Sequence, residues 1–168
     1  MTLKEAITTA IEFEIKIRDH YAWAMKESKD PAGKKFFEVL TREEQGHVDY
    51  LKSRLKELEE KGEITTEPIP TVIPSADWLA KGLEDLKESA EKRDYAEETQ
   101  RLFTALKLED EATDHYKHLM GVLGPQGKEL FKRFIEIEDG HTALVQTEID
   151  VVTKTGFFYD FQEFNLDG

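Results

Sequence analysis

Phe37-Glu38-Val39-Leu40-Thr41-Arg42-Glu43-Glu44-Gln45-Gly46-His47-Val48-Asp49-Tyr50-Leu51 reads as a helix with a single inward stripe. Phe37, Leu40, Glu44, His47 and Leu51 recur at steps of three and four, which places them on one helix face. That face is apolar except at its middle, where Glu44 and His47 stand one turn apart and point the same way. The pattern returns 94 residues later as Phe131, Phe134, Glu138, His141 and Val145. Upstream, Leu3, Ile7, Ala10, Glu14, Ile17, Tyr21 and Ala24 form a third stripe, and Leu102, Ala105, Glu109, Ala112, Tyr116 and Leu119 a fourth. Each of these is apolar with one glutamate at its centre and a tyrosine two turns later. The spacing predicts four amphipathic helices whose apolar faces meet in one core.

Punctuation sets the order. The first helix is expected from about residue 3 to residue 29. Asp30 caps the second and Pro31 starts it, because proline suits the first helical turn. Gly62 ends it, glycine being the usual residue past a helix C-terminus. Residues 63–75 carry Pro68, Pro70 and Pro74, so they read as an extended connection long enough to cross a bundle. A shorter helix is expected over 76–92, and Asp94 with Glu97 resembles a capping box opening the third long helix. Gly124-Pro125 separates it from the fourth, which should end near Gly156.

The chain also repeats itself. Ala10 to Glu14 and Asp19-His20-Tyr21 match Ala105 to Glu109 and Asp114-His115-Tyr116 at an offset of 95. Glu44-Gln45-Gly46-His47 matches Glu138-Asp139-Gly140-His141 at an offset of 94. Two helix hairpins, about 3–61 and 94–155, are therefore joined by residues 62–93 and pack best as a pseudo-twofold pair. The expected domain is an all-α antiparallel four-helix bundle over 1–156, with a long crossover and an extra short helix between the second and third long helices. Residues 157–168 form an aromatic extension with Phe157, Phe158, Tyr159, Phe161 and Phe164, expected to pack on the bundle or on a second copy in a homodimer.

Bulk properties narrow the function. A chain of 168 residues suffices for one domain with a proper core. The net charge of −13 argues against nucleic acid, whose phosphates would be repelled. No apolar run approaches the length of a membrane span, and the N-terminus lacks the pattern of a signal peptide, so a cytoplasmic location is the expectation. The absence of cysteine excludes thiolate zinc sites, iron–sulfur clusters and cysteine nucleophiles. Any metal must be held by oxygen and imidazole nitrogen.

Glu14, Glu44, Glu109 and Glu138, brought together in a core, would repel one another and lose their hydration. They could protonate instead, with raised pKa values. Two divalent cations solve the problem better: four carboxylates against two M²⁺ sum to zero charge, and the neutral imidazoles of His47 and His141 complete the coordination. One Glu-x-x-His on a helix is a weak signal. Two of them, each preceded by a lone glutamate at spacings of 30 and 29, is a strong one. The competing reading, a hydrogen-bonded polar layer without metal, needs four buried glutamates to find neutral partners.

In Glu14 with Tyr21, Glu44-x-x-His47, Glu109 with Tyr116, and Glu138-x-x-His141, the chain resembles the rubrerythrin branch of the ferritin-like di-iron carboxylate proteins. The likeness covers roughly residues 3–154. It implies a ferritin-like bundle holding two iron ions. Glu44 and Glu138 would bridge them, Glu14 and Glu109 would be terminal ligands, and His47 and His141 would each bind one ion. It implies an oxidoreductase acting on O₂ or hydrogen peroxide, of ferroxidase or peroxidase type. Tyr21 and Tyr116 fit groups that hydrogen-bond the ligand carboxylates, though the positions also suit plain core aromatics. Rubrerythrins carry a further glutamate where this chain has Ala112, and Glu111 lies roughly 200° around the helix from Glu109. In its six-ligand set the chain is more similar to bacterioferritin. The four cysteines of a rubredoxin domain are missing, so electrons would come from a separate donor protein.

Glutamate and histidine do not choose between iron and manganese, which leaves a dimanganese catalase-like enzyme open beside a non-catalytic iron store. Outside the stripes, His20, His115 and His118 read as surface or interface histidines, and Trp23 and Trp78 as packing groups. Arg54 and Glu148, each seven residues past a ligand histidine, suit either an ion pair at one end of the bundle or two solvated ends.

Overall fold

The computed structural model describes residues 1–73 and 96–155. They form four helices and no strand: α1 (Leu3–Glu27), α2 (Pro31–Lys61), α3 (Ala96–Val122) and α4 (Pro125–Thr155). The boundaries have local causes. Thr2 and Glu5 form a reciprocal capping box at the start of α1, with the Thr2 amide donating to the Glu5 carboxylate at 2.7 Å. Asp30 accepts from the Ala32 and Gly33 amides at 2.8 and 3.2 Å, with Pro31 in the first turn of α2. Gly62 closes α2 in the left-handed conformation (φ 76°), which a side chain would resist. The expected short helix over 76–92, the Asp94 cap, Trp78 and the aromatic extension all fall outside the described residues.

α1 packs on α2, α3 packs on α4, and the two hairpins meet along α1 and α3. Lys4 pairs with Glu59 at 2.7 Å, so the start of α1 lies beside the end of α2. Ser28 donates to Glu98 at 2.9 Å, so the end of α1 lies beside the start of α3. The end of α2 and the start of α3 are thus at opposite ends of the molecule. Residues 64–72 run back along α2 in the required direction. The Arg54 side chain donates to the Thr65 carbonyl at 2.9 Å, Tyr50 to the Glu67 carbonyl at 2.8 Å, and Glu43 accepts the Val72 amide at 3.0 Å. A helix rises about 16 Å between residues eleven apart, and an extended chain can cover up to about 24 Å over seven, so the connection keeps pace with the helix.

Every residue of the four sequence stripes is buried except Leu3, which is half-buried. Phe36, Phe37, Phe131 and Phe134 fill the core with Tyr21 and Tyr116. Burial of aromatic and branched side chains is the main stabilising term. Into this core the four central glutamates and both histidines are inserted, each with 0% exposure. No described helix is long and apolar enough to cross a membrane.

Candidate metal centre

The six stripe residues converge at mid-bundle. α1 supplies Glu14, α2 supplies Glu44 and His47, α3 supplies Glu109, and α4 supplies Glu138 and His141. The two imidazoles stack 5.1 Å apart and nearly parallel, at 8°. Each turns its Nδ1 inward. Around His47 Nδ1 lie Glu14 Oε2 at 3.0 Å, Glu44 Oε2 at 3.2 Å and Glu138 Oε1 at 3.3 Å. Around His141 Nδ1 lie Glu44 Oε1 at 2.7 Å, Glu138 Oε2 at 3.3 Å and Glu109 Oε1 at 3.7 Å. Glu44 and Glu138 therefore each give one oxygen to either histidine. Glu14 and Glu109 each serve only one.

This geometry fits a metal better than a polar layer. Both oxygens of Glu44 and of Glu138, Oε2 of Glu109 and both ring nitrogens of His141 are buried without a hydrogen bond. The His141–Glu44 approach of 2.7 Å is close yet not aligned as one. Ligand atoms of Glu44, His47, Glu138 and His141 lie within 4.8 Å of one another, so these four buried residues can hold a metal ion. Orphaned polar atoms carry a desolvation penalty unless something fills their lone pairs.

Without a cation, protons must balance the charge. Burial, reinforced by the Glu138 and Glu44 charges, pushes Glu14 well above the usual carboxylate range. Burial and the same two charges do so for Glu109. Burial also works against charge on Glu44, but the two imidazoles overcome it and hold that group at about 2. Glu138 is likewise depressed, His141 and His47 outweighing its burial. Burial disfavours the imidazolium forms, yet the surrounding carboxylates push both histidines well above their ordinary value. In the metal-free centre protons are thus favoured on both imidazoles and on the Glu14 and Glu109 carboxyls, while Glu44 and Glu138 are held toward their ionised forms.

The tyrosines tie the hairpins together. Tyr21 of α1 donates to Glu109 Oε1 on α3 at 2.5 Å, and Tyr116 of α3 donates to Glu14 Oε1 on α1. Burial and the neighbouring carboxylates hold both phenols protonated. Phe134 meets His47 edge-on at 5.6 Å and Tyr116 at 5.7 Å, walling that side with apolar surface.

Comparison with family models, with curated proteins and with solved structures gave no match to this chain.

The remaining candidates stand apart from the cluster. Ala112 is fully buried, while Glu111 is exposed and pairs with Lys16 and Lys107. His20 faces the Arg101 carbonyl at 3.0 Å, His115 stacks on Phe13 at 4.8 Å, and His118 is exposed. Trp23 is half exposed beneath the Arg101 guanidinium. Arg54 pairs with Glu57 at 3.2 Å and binds Thr65, so among the described residues it does not reach Glu148, which is itself buried. The connection after α2 supplies nearer acceptors. One residue beside the site escaped the stripe pattern: Glu43 lies 3.7 Å from His141 Nε2. It sits one position off the seam, and the signal that would have singled it out is its repeat counterpart, Ile137.

Proposed function

We propose that this chain is a ferritin-like, carboxylate-bridged di-metal oxidoreductase that uses two iron ions to reduce O₂ or hydrogen peroxide, of ferroxidase or peroxidase type. The observation that carries the reading is the arrangement of Glu44 and Glu138, each of which turns one oxygen to His47 and the other to His141. Carboxylates so placed suit bridging ligands, with Glu14 and His47 completing one position and Glu109 and His141 the other. The opposed ends of α2 and α3 suit the long crossover of that family, and the Glu/Tyr and Glu-x-x-His spacing supports its rubrerythrin branch. Buried Ala112, in place of a seventh ligand, favours the six-ligand, ferroxidase-like form.

When bound, a ferrous pair held by Glu14, Glu44, His47, Glu109, Glu138 and His141 would supply two reducing equivalents. The chain supplies the rest. Four carboxylates neutralise two divalent charges and favour the higher oxidation state. Tyr21 and Tyr116 fix the terminal carboxylates through hydrogen bonds. Phe134 and the apolar stripes exclude water, which strengthens every electrostatic interaction inside. A separate donor protein would return the electrons.

The test is aerobic loading with ferrous iron, followed by near-ultraviolet absorption, with elemental analysis of natively purified protein. About two iron ions per chain and oxidation faster than in Glu44→Ala are expected. Equal rates would refute the redox reading, and manganese in place of iron would reassign the metal.

A further inference from the structure

The two halves of the centre repeat each other closely, but their surroundings do not. When Nδ1 of a histidine binds metal, the ring proton sits on Nε2 and needs an acceptor to fix the ring and raise its basicity. Behind His141 stands the Glu43 carboxylate, 3.7 Å from Nε2. It is held in place by the connection after α2, through the Thr71 hydroxyl at 2.5 Å and the Val72 amide at 3.0 Å. Neither Nε2 makes a hydrogen bond, so the difference lies in the nearby charge: among the described residues no carboxylate stands within 4 Å of His47 Nε2, and the carboxylates near that ring all face its Nδ1. The repeat counterpart of Glu43 is Ile137, an apolar side chain that packs against the core.

We infer that Glu43 is a positioning residue that makes the two metal positions inequivalent, backing His141 with a tethered carboxylate so that the position formed with Glu109 binds a divalent ion more tightly than the position formed by Glu14 and His47. This rests on the di-metal reading above. The residue that distinguishes the two positions is thereby anchored outside the pseudo-symmetric hairpins, in the segment that connects them. A ligand set that is symmetric in its six residues becomes ordered, one position filling before the other.

The experiment is anaerobic titration of the metal-free full chain with Co²⁺, read by visible absorption and by calorimetry. The unaltered chain should fill in two distinguishable steps. Glu43→Gln removes the charge and should weaken the tighter step about 10- to 100-fold, leaving the weaker step in place. Thr71→Val loosens the tether and should weaken the same step by a smaller factor. Two equal steps in the unaltered chain would overturn the inference, as would unchanged affinities in Glu43→Gln or an equal loss at both steps, which is what a merely structural role predicts. Should Glu43→Gln not fold, the two affinities of Thr71→Val decide, and their identity with the unaltered chain would count against the idea. A folded chain that takes up no Co²⁺ at all would instead overturn the di-metal reading itself.

Discussion

Metal uptake at this centre should be a proton exchange of defined size. The metal-free centre favours protons on His47 and His141, both pushed well above their ordinary value by the carboxylates that outweigh burial. It carries up to two more on Glu14 and Glu109, raised by burial and by the Glu138 and Glu44 charges. Two imidazolium ions against two carboxylates sum to zero, and so do two divalent cations against four carboxylates. Loading therefore keeps the buried charge neutral by releasing up to four protons, about two per ion. The apparent affinity for the pair should then rise with pH, by as much as about four decades per pH unit where all four protons are exchanged. Calorimetric titration with a divalent ion, in buffers of different ionisation enthalpy, counts the protons. Release of fewer than two per filled centre would refute the reasoning, since the two imidazole protons alone supply that number.

Stability should depend on pH with opposite sign in the two states. In the metal-free chain the raised groups, His47, His141, Glu14 and Glu109, contribute stability below their unfolded pKa values that is lost as pH rises through the folded ones. The depressed group Glu44 contributes stability above its ordinary 4.5 that is lost as pH falls toward about 2. Thermal midpoints in chelator should thus decline as pH rises above neutrality, whereas the loaded protein should gain over the same range, and parallel slopes would contradict the assignment. Tyr21→Phe leaves the buried Glu109 carboxyl without its donor and should lower stability in denaturant titration by about 1–3 kcal/mol.

How much of this was written in the chain follows from helix geometry. Steps of three and four residues fix which side chains share a helix face whatever surrounds the helix, so the four stripes, the helix order and the six inward polar groups could be read directly. Asp30, Pro31 and Gly62 act within their own turns, so both ends of α2 were equally legible. The repeat offsets of 95 and 94 implied two similar hairpins. What no local rule contains is the pairing between hairpins. That Tyr21 reaches Glu109 and Tyr116 reaches Glu14 depends on α1 and α3 packing antiparallel. That Glu44 and Glu138 divide their oxygens between both histidines depends on the separation of α2 and α4. The repeat positions of Arg54 and Glu148 suited either an ion pair or two solvated ends, and Arg54 instead turns to Glu57 and to Thr65, which the connection after α2 brings within its reach. The same return path brings Thr71 and Val72 to Glu43 and so sets that carboxylate behind His141. Periodicity along one helix thus determined which groups enter the core, while distances across helices, which only packing fixes, decided which of them meet.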